Sequence, residues 1–385
     1  MSPLKRYFLF ILFCMLAAFY TWTTVGYSYP DADYFKGNPA VDVYTASVGY
    51  DRKSGNIVGI QPEMNPSVYS TSERFHRKLE SYFSDAQSSG FFGAKTLAVF
   101  PDHIGTFLFL AGEKRSVYSA ENMGSALSLI ASSRPLSYMR HRITSFSESK
   151  QLESVIRLKS ESVRDIYTAV FSKLASVYQV SILAGSVVLP GAYVQNGKIY
   201  VSPAAELKTY SFVFLPDGKV SDTFFVKKTP SVWEKNLGIK EETDKTVTSK
   251  LAGTVDSWVA MTEDSLYNSA YSSLSTGFEV LISPSFLYKD TQIQFSKPEI
   301  SIDPRTGKSL MNDSDHSAPL EILWDKFSLP GKINASIGRI YMQVFMAGKI
   351  YEYTLSAPSK ASIKYNKTES VDGNRFRSAV LNIWL

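Results

Sequence analysis

From Val41 onward, short apolar runs alternate with stretches whose apolar positions recur at helical spacing. Asn56–Gln61 (NIVGIQ) predicts a buried strand, and Lys95–Phe100 (KTLAVF), closed by Pro101, a second. Between them Phe75, Leu79, Tyr82, Phe83 and Ala86 fall on one face of a helix expected over Thr71–Ser88. A longer helix is expected over Gln151–Tyr178, followed by a buried strand over Val180–Val188. Ser211–Leu215 and Ser221–Val226 flank Pro216-Asp217-Gly218, where proline fixes φ, the aspartate bonds the backbone ahead and glycine permits the return, so a hairpin is expected. Val255–Met261, Glu279–Ser283 and Tyr341–Leu355 carry strand patterning, and Ser265–Thr276 a helical one. Ser296–Ser317 is polar and turn-rich and is expected at the surface.

This mixed β-α-β order predicts an α/β protein. There is no internal repeat, low-complexity segment or linker beyond about residue 40, so residues 41–385 read as one large domain behind a separate N-terminal segment, residues 1–30.

That segment changes the picture most. Lys5 and Arg6 precede the wholly apolar run Tyr7–Tyr20, and no further charge occurs before Asp31. As a helix rising ~1.5 Å per residue, the uncharged span is long enough to cross a bilayer. The positive flank predicts that its start stays cytoplasmic and the bulk of the chain lies outside. A cleaved signal peptide is the rival reading, with Thr24 and Gly26 near a candidate cut, although bulky Tyr and Trp residues surround it.

Cys14, inside this run, is the single cysteine, so the remaining chain has no thiol for a disulfide, a zinc site or a nucleophile. His76, His103, His141 and His316 lack metal-site spacing and read as surface or satisfied core residues; no metal or cofactor is implied. A net charge of +5 on 385 residues, with no long basic run, argues against nucleic acid as a partner.

The segments resemble the carbon–nitrogen hydrolase (nitrilase) superfamily in order and spacing over roughly Asn56–Leu355. The matching pieces are Gln61 in IVGIQP, Val99–Phe107 (VFPDHIGTF), Ile182–Ser186 (ILAGS), and Ser211–Val220 (SFVFLPDGKV) leading into Phe225-Val226-Lys227 and then Glu234. The resemblance implies an αββα sandwich, an amide-like small-molecule ligand, and protomers that pair into a homodimer. It also implies a mechanism in which a Cys thiolate attacks an amide or nitrile carbon. A first Glu takes the thiol proton and later activates water, a Lys stabilises the oxyanion, and a second Glu positions the reactants.

Lys227 and Glu234 match that pattern, but two positions depart from it. Asp102 stands where the first Glu is expected; it is one methylene shorter, and a shortfall of ~1 Å in positioning can cost on the order of 100-fold in rate. Counting back from Glu279 by the family's spacing places Met261 at the nucleophile. Members that read Cys-Glu-Asp there would align Thr262 of Thr262-Glu263-Asp264 instead. A thioether has no proton to lose, and a hydroxyl needs an adjacent base. Each residue also has a plainer role: Met261 as a core plug, Lys227 beside Lys228 as a solvated pair, Asp102 as a turn or cap residue, or Asp102–Lys227 as a buried ion pair.

The expectation is therefore a membrane-tethered or exported pseudoenzyme on this scaffold, binding a ligand or partner. The alternatives are a divergent amidase or acyltransferase using Thr262 or a held water, and a purely structural subunit.

Overall fold

The computed structural model describes residues 3–24, 42–242, 257–267, 280–289, 291, 293, 295–302, 308–334, 340–364, 368–373 and 377–385. Helix α1 (Pro3–Thr24) comes first, with the side chains of residues 3–22 exposed. It is long and apolar enough to cross a membrane by length and composition, with a mean hydropathy of 1.5 over Pro3–Thr23.

The next elements are β1 (Tyr44–Val48), β2 (Asn56–Gln61), β3 (Glu63–Met64), α2 (Ser72–Ser88) and β4 (Thr96–Val99). Four helices follow: α3 (Arg115–Tyr118), α4 (Met123–Ser133), α5 (Pro135–Ile143) and α6 (Lys150–Tyr178). Then come β5 (Ser181–Pro190), the hairpin of β6 (Tyr193–Gln195) and β7 (Lys198–Tyr200), β8 (Leu207–Phe214), β9 (Val220–Val226) and α7 (Val232–Asn236). The later part supplies β10 (Ser257–Val259), β11 (Val280–Pro284), α8 (Pro298–Ser301), α9 (Leu320–Phe327), α10 (Leu329–Asn334) and β12 (Ile340–Val344). It ends with β13 (Ala347–Ile350), β14 (Tyr353–Leu355), β15 (Lys360–Lys364), β16 (Thr368–Asp372) and β17 (Ala379–Trp384).

Two sheets stack face to face. The first has the order β1-β17-β2-β4-β5-β8-β9, and the second β10-β11-β12-β15-β16. Strand alternation builds the layers. Leu97 and Val99 of β4 point between the sheets, against Val259, Ile282 and Met342, whereas Ala98 and Phe100 point outward. On that outer face they meet Phe75, Tyr82 and Phe83 of α2 and Tyr167, Phe171 and Leu174 of α6. The far side of the second sheet packs Trp258, Ala260 and Leu281 against Leu329. The result is the αββα sandwich expected from the resemblance, in one large domain.

Several expected elements coincide with the observed ones. Thr71 caps α2 by accepting from the N–H of Arg74 at 3.1 Å. The Pro216-Asp217-Gly218 turn joins β8 to β9, with Asp217 accepting from the Lys219 N–H at 3.0 Å. The helix expected over Ser265–Thr276 begins differently: Thr262–Leu266 forms a 3-10 turn, and residues 268–279 lie outside the described residues. Ser296–Ser317 is not wholly a surface excursion, because Ile300 is buried in a cluster with Phe295, Trp324 and Phe327.

Candidate functional site

Four segments converge at one end of the sheet stack. Asp102 leaves β4 through Phe100-Pro101, and the approach of β5 fixes it there. Gly185 has φ +64, and a Cβ on it would stand 2.1 Å from the Pro101 carbonyl oxygen, so a glycine is required at this crossing. A register shift between Leu183 and Ser186 presents the Ser186 hydroxyl, which donates to Asp102 Oδ1. The same hydroxyl accepts from the His103 N–H at 2.8 Å.

Lys227 follows β9, where its own N–H donates to the Thr209 carbonyl at 2.9 Å. Its Nζ lies 3.2 Å from Asp102 Oδ2, 2.7 Å from Glu234 Oε2 and 2.7 Å from Glu263 Oε2. Glu234 is held by a capping box at the start of α7: its Oε2 accepts from the Ser231 N–H at 2.7 Å, and Ser231 Oγ accepts from the Glu234 N–H at 3.1 Å. Its other oxygen accepts from the Thr209 hydroxyl.

Thr262 completes the centre. It sits at φ +36, a region a β-branched residue rarely adopts. Its hydroxyl donates to Asp102 Oδ2 and accepts from the Phe286 N–H at 3.0 Å. Met261 is placed elsewhere: its side chain is buried in the apolar layer between the sheets with Val259 and Ile282. The residue facing Asp102 is therefore Thr262, because the turn after β10 directs residue 261 into the core and residue 262 to the polar end. Lys228 is half-buried, and its backbone N–H donates to Asp264 Oδ2 at 3.1 Å.

His103, which in the sequence reads only as an isolated histidine, belongs to the centre. It is buried, at φ +60, with Nδ1 3.0 Å from Thr106 Oγ1 and Nε2 3.4 Å from Glu234 Oε1. Its ring meets Trp233 and Phe286 edge-on at 5.2 and 5.1 Å. Ser186 and Glu263 were also missed as participants; the clue to both was their adjacency to the matched motifs, Ser186 ending ILAGS and Glu263 following Thr262.

The electrostatics follow from burial opposed by pairing. Burial pushes the Asp102 carboxyl up, but Lys227, His103 and the Ser186 hydroxyl more than reverse this, leaving it below its ordinary value. The same contest, with Lys227 and His103 both bonded to it, sets Glu234 well below. Burial lowers Lys227, yet Asp102, Glu234 and Glu263 together hold it well above its ordinary range. His103 is likewise raised, burial being outweighed by Asp102 and Glu234. Glu263 goes the other way: despite the 2.7 Å pair with Lys227, burial dominates and its pKa is raised. The raised groups Lys227 and His103 thus face the lowered carboxyls of Asp102 and Glu234.

The enclosed space bounded by His103, Lys227, Trp233, Glu263 and Phe286 measures about 10 Å³, room for about one water molecule. Beside it a cleft of about 250 Å³ is lined by Thr229, Val232, Leu266, Tyr267, Ile293 and Ile300, with Glu263 forming part of both walls.

No protein-family model and no curated protein sequence matches the chain. Similar solved structures include a Cys-to-Ser mutant of the Nesterenkonia AN1 amidase from the nitrilase superfamily, 10% identical, covering 86% of this chain and 92% of that one with a TM-score of 0.47. A Cys-to-Ala mutant of the amidase from Nesterenkonia sp. AN1 in complex with butyramide is 10% identical, covering 88% and 94%, with a TM-score of 0.49.

Proposed function

We propose that the chain is a carbon–nitrogen hydrolase-fold protein, tethered to a membrane by α1 or exported, whose former catalytic centre is now a closed charge cluster. It acts by binding a ligand or partner, not by turnover. The observation that carries this reading is the surroundings of Lys227. An ammonium has three N–H donors, and three carboxylates lie at 3.2, 2.7 and 2.7 Å from this one. The ammonium already donates to Asp102 and Glu234 and has Glu263 in contact, so an oxyanion formed by amide addition would meet three carboxylates around the same cation.

The position facing Asp102 supports the same reading. A hydroxyl nucleophile needs a base with a pKa near the working pH, and Asp102 is held below the ordinary carboxylate value. The enclosed space does not admit an amide, so the neighbouring cleft is the place for a small ligand.

A second reading is a divergent amidase or acyltransferase. The left-handed backbone of Thr262 and its hydrogen bond to Asp102 favour it, since that pairing joins a nucleophile candidate to a base. Ammonia release from a panel of aliphatic amides by the purified full chain decides between them. Equal, background rates for the native chain and Thr262→Ala are expected. Turnover that vanishes in Thr262→Ala would sustain the second reading.

A further inference from the structure

Helix α5 presents its apolar side to the outside. Leu136, Met139 and Ile143 recur at three- and four-residue steps, so they share one face. They are 81%, 49% and 72% exposed, and Phe146 just beyond the helix is 91% exposed. Arg140 lies on the same outward face, while Tyr138 leans on the first core cluster. A helix on a water-facing surface normally has the opposite arrangement. The segment from Arg134 to Phe146 carries Arg134, Arg140 and Arg142 and no acidic residue.

The position of this face identifies its occupant. Trp22, in the last turn of α1, donates its indole N–H to the Ser132 carbonyl at 3.1 Å, where α4 ends and α5 is about to begin. The Lys114 ammonium lies 3.9 Å from the centre of the Trp22 ring and donates to the Trp22 carbonyl. Tryptophan at the end of an apolar span is the residue type that settles at the headgroup level. An outward apolar face with interspersed arginines, set beside that level, has the chemistry of an interfacial membrane helix.

We propose that α5 and Phe146 dock on the anionic headgroup layer of the membrane that α1 enters, holding the sandwich against the bilayer. This rests on reading α1 as a membrane span.

The test uses the full chain reconstituted in phosphatidylcholine vesicles with and without phosphatidylglycerol. In a Cys14→Ser background, an environment-sensitive fluorophore is placed at Ile143→Cys or at Val177→Cys. Val177 is 59% exposed near the far end of α6, whose start is tied to α4 by a 3.0 Å bond from Gln151 to Ser128; α6 runs about 40 Å at its ordinary rise. Nitroxide lipids labelled near the headgroup should quench the Ile143 label severalfold more than the Val177 label. The difference should grow with phosphatidylglycerol and shrink in Arg140→Glu. Equal quenching at both positions would overturn the proposal, as would an Ile143 label shielded from water but not quenched by lipid, which would place a second copy or another protein on this face. A label on the native Cys14 reads the span independently. If deep nitroxides fail to quench it, the span is wrong, and the contrast between Ile143 and Val177 still decides the docking.

Discussion

Thr262 donates a hydrogen bond from its hydroxyl to Asp102, while Met261, one residue earlier, is buried between the two sheets. The pair of positions thus separates cleanly: one side chain belongs to the polar centre and the other to the core. The two positions should tolerate different replacements. Met261→Leu exchanges one apolar side chain for another and should cost less than about 1.5 kcal/mol, whereas Thr262→Val removes the hydroxyl that bonds Asp102 and the Phe286 N–H and should cost more, about 1–3 kcal/mol. Denaturant titration measures both, and a Thr262→Val no more costly than Met261→Leu would contradict the placement.

Lys227 is the cation on which three carboxylates depend. Replacing it with Met leaves buried anions unpaired and should destabilise the domain by about 3–5 kcal/mol, whereas Lys228→Ala should stay within about 0.5 kcal/mol. Denaturant titration followed by tryptophan fluorescence measures both. A near-neutral Lys227→Met would mean that the cluster contributes little to folding.

Two acids give opposite pH dependences. Glu234 is depressed well below its ordinary 4.5, so the stability it supplies is complete above that value and is lost as pH falls toward the folded pKa. Glu234→Gln should flatten this acid limb. Burial pushes the Asp264 carboxyl from 3.8 up to about 7, against the backbone N–H groups of Lys228 and Thr229. Between those values the folded chain keeps a proton that the unfolded chain has released, so stability falls as pH rises. Asp264→Asn should make that decline shallower. Denaturation midpoints at several pH values test both signs.

Much of this centre was legible in order but not in depth. Lys227 and Glu234 were visible because Phe225-Val226-Lys227 followed by Glu234 resembles the nitrilase-family pattern, and the strand over Asn56–Gln61 because Ile57, Val58, Gly59 and Ile60 form an uncharged, largely apolar run. The placement of residues 261 and 262 was not legible, since it depends on a one-residue turn at positive φ that no alternation pattern encodes. His103 was missed because its partner Glu234 arrives from a distant segment. The inverted face of α5 was hidden too: periodicity reports which residues share a side, not which side meets the core.

For topology, a tag after Leu385 should lie on the non-cytoplasmic side of the membrane, because Lys5 and Arg6 flank the apolar run at its start. Protease added outside intact spheroplasts should remove it. A protected tag would reverse the orientation.

The most direct test of the closed-centre account is intact-mass spectrometry of the native chain, quenched in acid after mixing with activated esters and amides. No acyl adduct is expected, because three carboxylates crowd the Lys227 ammonium and Thr262 has only a weak base beside it. An acyl mass that maps to Thr262, is absent in Thr262→Ala and is retained in Lys228→Ala would contradict it.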